Sequence, residues 1–162
     1  MNETICTKQR RTFLVVIDDS DEMRVALSFA CKRAVTTGGR VALLHVIHED
    51  KDFHHWMGVA DLMRQEQREE AERLVSKHSL YVKEATNELP ILHIREGNPF
   101  DELFALLADE PSISIVVLAA STIGDGPGPI ITQAITRRGT NLPVPFTIVP
   151  GHLSDAALDE LT

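Results

Sequence analysis

Phe13-Leu14-Val15-Val16-Ile17-Asp18-Asp19-Ser20 is an unbroken apolar run that ends in two acids and a serine. A strand that is apolar at every position needs cover on both faces, the situation of a parallel sheet flanked by helices. Ser20 is a good helix N-cap, so the stretch predicts a buried strand running directly into a helix. Downstream, Met23, Leu27, Ala30, Cys31 and Ala34 recur at helical spacing until Thr36-Thr37-Gly38-Gly39 stops the helix. Val41 to Ile47 is a second buried strand of the same kind.

The alternation continues to the end of the chain. Between Trp56 and about Lys83, apolar residues fall at Trp56, Val59, Ala60, Met63, Leu74, Val75 and Tyr81, and the charged run from Arg64 to Arg73 reads as a solvated helix face. Pro90 to Arg95 is a shorter strand that His93 and Arg95 assign to a sheet edge. Asn98 as N-cap, Pro99 at the first helical position and the acids Asp101 and Glu102 in the first turn open a third helix, with Phe100, Leu103, Phe104 and Leu107 as its buried stripe. Ile113 to Ala119 is a fourth strand, Ile130 to Arg138 a fourth helix and Phe146 to Val149 a fifth strand. Strands and helices in strict alternation demand right-handed crossovers and a sheet covered on both faces. We divide the chain into an extension over 1–11, one α/β domain over 12–150 and a tail over 151–162.

Composition sets outer limits on function. The 162 residues are 43% apolar and 25% charged, ordinary for one globular domain. A net charge of -8 with no basic tract argues against nucleic acid and anionic lipid as partners. Cys6 and Cys31 are too few for a disulfide framework, and no apolar run reaches the length of a membrane span, so a cytoplasmic location is expected.

Four stretches together resemble the universal stress protein family: Val15-Val16-Ile17-Asp18-Asp19-Ser20, Leu43-Leu44-His45-Val46, Glu96-Gly97-Asn98-Pro99 with its helix, and Leu142-Pro143-Val144-Pro145 leading into the last strand. The resemblance lies in their order and spacing, and it spans most of the chain. It implies an open five-stranded parallel sheet of order 3-2-1-4-5 with helices on both faces, a Rossmann-type fold like that of the adenine nucleotide alpha hydrolases. It also implies a dimer and, in one branch of the family, ATP over the C-terminal strand ends, where open α/β sheets generally bind ligands.

ATP-binding members carry Gly-x2-Gly-x9-Gly-Ser/Thr after the fourth strand. Aligned from Leu142-Pro143, those positions fall on Ala119, Thr122, Thr132 and Gln133, so all three glycines and the final hydroxyl are replaced. A Cβ at such positions obstructs close approach of the backbone to a ligand and access to positive φ. Gly124, Gly126 and Gly128 lie nearby and could shape a different phosphate loop at the start of the fourth helix, but Asp125-Gly126-Pro127-Gly128 is equally good chemistry for a surface turn. The resemblance further places Asp18 against adenine or ribose and the backbone of Val46 against the base. Each also has a structural reading, Asp18 at a helix N-terminus and Val46 in a buried strand.

Other chemistries have less behind them. His45, His48, His54 and His55 with Glu49, Asp50 and Asp52 raise the question of a metal, but His45 and His48 would fall on opposite faces of a strand and no ligand spacing is diagnostic, so no metal is expected. No nucleophile elbow, Walker loop or paired cysteine motif occurs. The sequence therefore leads us to expect a non-enzymatic stress-response or regulatory module with no cofactor, joined to its copy and to a partner protein of unknown identity. The competing readings are an ATP or AMP sensor using Asp18, Val46 and the Gly124 to Gly128 loop, and a slow nucleotide hydrolase. Phe146, Thr147, Ile148 and Val149, uncharged and between Pro145 and Pro150, are the expected dimer interface.

Overall fold

A computed structural model describes residues 9–48, 57–139 and 141–162. Five parallel strands, β1 (Thr12–Val16), β2 (Arg40–Ile47), β3 (Ile91–Glu96), β4 (Ile113–Ala120) and β5 (Phe146–Pro150), form one sheet in the order β3-β2-β1-β4-β5. The helices are α1 (Asp21–Thr37), α2 (Met57–Thr86), α3 (Pro99–Asp109), α4 (Pro129–Arg138) and α5 (Asp155–Leu161). This is the order expected from the sequence, with β3 and β5 at the edges.

The continuous apolar strands feed two cores. On one face Phe13, Val15, Val41, Leu43 and Val117 pack against α1, α2 and α5. On the other, Leu14, Ala42, Leu44, Val116 and Leu118 pack against α3 and α4. Only a strand covered on both sides has use for hydrophobic residues at every position, which is why β1 carries no alternation. β3 does alternate, half-buried and exposed, as an edge strand with polar substitutions should.

The caps sit where the residue types put them. The Ser20 side chain accepts from Met23 N at 3.2 Å, and Asn98 accepts from Phe100 N at 3.0 Å with Pro99 in the first turn. Gly38 closes α1 in the left-handed conformation at φ 67°. Thr12 N donates to Ser114 Oγ at 3.2 Å where the register between β1 and β4 shifts by a residue.

Two elements differ from expectation. The buried stripe of α2 is Ala71, Val75, His78 and Val82, whereas Val59 and Tyr81 are exposed. Residues 58–70 contain no fully buried position, so the first half of α2 adds no residue to either core. The tail over 151–162 contains α5, capped by Ser154 and anchored by Leu158, which is 1% exposed in the core under α1. Seven helical residues are too few to announce themselves by periodicity.

Candidate functional site

The strand order reverses at β1, whose neighbours β2 and β4 lead away in opposite directions. Crossovers diverge there and leave an opening above the C-terminal strand ends, the switch point where this architecture places ligands. A crevice of about 240 Å³ occupies it. Val16, Met23, Leu118 and Ile131 supply an apolar floor, and Asp18, Glu22, Ala119 and Gly128 supply the rim.

Asp18 follows β1 by two residues and is exposed. Its Oδ1 accepts from Ser20 N at 2.8 Å and from the Ser20 hydroxyl, so one carboxylate oxygen is committed to organising the start of α1. Ala119, in β4, and Gly128, the residue before α4 at φ 106°, are on the opposite wall. Such a φ is open to glycine at little cost, and Gly124 shares it at φ 88°. Gly124 and Gly126 are exposed on a turn closed by Ser121 N donating to Pro127 O at 3.1 Å, and neither lines the crevice.

Thr122 is held by a residue the sequence did not single out. Glu22 Oε1 accepts from Thr122 N at 3.0 Å and also from the Thr122 hydroxyl. The hydroxyl bond, followed by the amide bond, holds the Glu22 carboxyl below its usual range. Gly151 lies directly under this side chain; a Cβ there would collide with Glu22 and fall 2.5 Å from the Ala120 carbonyl oxygen. Glu22 therefore reaches Thr122 across a floor that only glycine leaves open. In sequence, Glu22 looks like an ordinary acid complementing a helix dipole, and no spacing rule connects residues 100 positions apart.

Thr132 and Gln133 are not at the crevice. They sit inside α4, where Thr132 N and Thr132 Oγ1 both donate to Gly128 O, at 3.0 and 2.8 Å. Their backbone groups are spent on the helix. Val46 is buried in the α3 and α4 core. Since Ile17 N donates to Leu44 O, alternation turns the Val46 backbone toward the same side, just past the end of β1. His45 Nδ1 lies 3.0 Å from Ile17 O, and His48 is exposed after β2. Glu49, Asp50, Asp52, His54 and His55 lie outside the described residues.

The electrostatics are one-sided. Asp18 and Glu22 line the crevice and Asp125 is on the adjacent turn, while among the described residues no Lys or Arg lines it. Arg137 and Arg138, at the end of α4, lie over the rings of Phe100 and Phe104 at 5.5 and 5.2 Å.

A doubly wound parallel sheet with an opening at its switch point defines the class as doubly wound α/β domains. Within it, a family model described as the universal stress protein family matches residues 9–150, and the chain belongs to that family. The fold is similar to that of universal stress protein UspA from Lactobacillus plantarum, at TM-score 0.72 and 17% identity over 87% of this chain and 98% of that one. It is also similar to the universal stress protein from Archaeoglobus fulgidus in complex with dAMP, at TM-score 0.63 and 17% identity over 87% and 98% of the two chains. A universal stress protein in complex with cAMP aligns at TM-score 0.56 and 17% identity over 87% and 97%. No curated protein matches the sequence.

Proposed function

We propose that this chain is a non-enzymatic stress-response module of the universal stress protein type that acts by association and has a crevice closed to nucleoside triphosphates. The observation that carries the proposal is the Glu22 carboxylate seated on Thr122 N and Oγ1. Where the family's signature would offer an uncommitted amide beside a glycine, this chain presents a negative charge whose low pKa keeps it ionised. Among the described residues no cation lining the crevice relieves the repulsion between that charge and a triphosphate. The volume of about 240 Å³ is also below the ~300 Å³ at which small-molecule sites usually begin.

Calorimetric titration with magnesium ATP tests this. No saturable heat tighter than about 10 μM, equivalent to about 7 kcal/mol, is expected for the wild type. Tighter binding would overturn the proposal.

A second reading is supported by the crevice itself, which keeps Asp18, Ala119 and Gly128 around an open floor. An adenine nucleotide with a single phosphate, as in the dAMP and cAMP complexes of universal stress proteins, asks less of the missing phosphate grip. Under that reading AMP would bind more tightly than ATP, and Asp18→Ala would weaken it. Cytoplasmic residence and a homodimer complete the proposal; no helix among the described residues is long and apolar enough to cross a membrane.

A further inference from the structure

A second concavity, of about 660 Å³, runs between α1, α2 and the segment that enters α5. It shares no residue with the crevice at the strand ends. Leu27 and Ser28, both buried, form its floor, and Leu153 and the half-exposed ring of Tyr81 form apolar walls. The wall made by Leu153, Ser154 and Asp155 lies beyond Pro150, where the family match ends, so one side of this groove is built by a part of the chain outside that match.

His78 lines the groove, is 4% exposed, and its Nε2 is shut from solvent with no hydrogen-bond partner. A buried nitrogen left unpaired is costly, and a turn of the ring that brought Nε2 to the groove face, where a polar ligand atom would meet it, removes that cost. Burial holds the ring neutral, so it offers one donor and one acceptor.

The groove is also polarised along its length. α1 and α2 both return from parallel strands on the same face, so they run side by side in the same direction. Arg24 and Lys77 each lie one turn ahead of Ser28 and Tyr81, and so share one end. Their ion pairs, Arg24 with Asp21 at 3.4 Å and Lys77 with Asp19 at 3.7 Å, are exposed and readily exchanged. The acids that line the groove sit farther along: Glu84 is two turns beyond Lys77, and Asp155 is close enough to Lys32 to raise its pKa.

We propose that this groove binds a small amphipathic aryl acid, with its anion toward Arg24 and Lys77, its apolar body over Leu27, Tyr81 and Leu153, and a polar atom turned to His78. The inference is independent of what the crevice binds.

The probe is 1-anilinonaphthalene-8-sulfonate, titrated into the full chain with fluorescence and thermal unfolding read together. One saturable site is expected, with a melting temperature that rises with probe, as binding to the native state requires. Arg24→Glu combined with Lys77→Glu, both at exposed positions, should weaken binding about tenfold. His78→Leu should also weaken it, and Val25→Trp, which adds bulk at a further residue lining the groove, should abolish it. Absence of saturation up to about 1 mM, a lowered melting temperature with probe, or a binding constant indifferent to the charge reversals and to Val25→Trp would each overturn the proposal.

Discussion

At Glu22 and His78, burial and hydrogen bonding set the charge of a side chain in opposite senses, and both leave a mark on pH dependence. Glu22 is held ionised by Thr122, so its contribution is complete above its ordinary pKa of 4.5 and is lost as pH falls through the depressed folded value. His78 is held neutral by desolvation, with Lys77 and Arg24 adding to the downward shift and Asp19 and Asp18 opposing it. Above the ordinary value of 6.5 both folded and unfolded states are neutral there and stability is complete. As pH falls through that value the unfolded chain takes up the proton first, so stability declines until the folded pKa is passed. His93, also lowered by burial, with Arg95 pushing the same way and Glu110 opposing, acts in the same window. The melting temperature should therefore fall between pH 7.5 and 5.5, and the fall should be smaller in His78→Leu, with His93 supplying the rest. An equal fall in both proteins would mean that His78 is not the titrating group.

The C-terminal helix shows how a short element gains its stability from what it covers. α5 has seven residues, too few to be stable alone, yet Ser154 caps it by accepting from Ala157 N at 3.3 Å and Lys32 of α1 pairs with Asp159. Leu158 is the fixed point, buried beside α1 in the core that also holds Val117 and Val149. Leu158→Ala should cost about 2 to 5 kcal/mol, the range for a leucine whose cavity cannot collapse, and chemical denaturation would measure it. Leu161→Ala, at a site 61% exposed, should cost little. Similar losses at both sites would show that the helix is not docked through Leu158. α2 makes the converse point: thirty residues of good helical pattern, of which only the second half meets a core.

For the molecule as a whole, the open question is the edge at β5. The sheet ends there, and an uncovered edge invites pairing with another chain. Of the four residues expected at an interface, Val149 is spent in the core under α1 and Phe146 stacks on Phe104 at 5.9 Å between centroids. Ile148, 42% exposed, is the most open of the four, and Thr147 beside it is half-buried. We expect a two-fold pairing of β5 with its copy, a closed contact that ends further growth. Sedimentation at micromolar concentration should show a dimer, and Ile148→Lys should shift it toward monomer by placing a charge in an apolar contact. A monomeric wild type, or a dimer untouched by Ile148→Lys, would locate the covering of this edge elsewhere.

The sequence by itself determined the sheet. Runs such as Phe13 to Ile17 have one physical use, caps at Ser20 and Asn98 act within three residues, and local rules are sufficient where the partners are local. The family resemblance named Asp18 and Ala119 together, and both line one opening because β1 and β4 are neighbours whose C-terminal ends lie side by side. What the sequence left undecided depends on groups brought together from far apart. Thr132 and Gln133 followed a spacing rule into α4, whose own hydrogen bonds claim the Thr132 amide. The contact of Glu22 with Thr122, the glycine floor beneath it, and the groove that leaves His78 without a partner each join residues separated by dozens of positions. Only tertiary packing sets those distances, and with them the charge and the volume that decide what either site can hold.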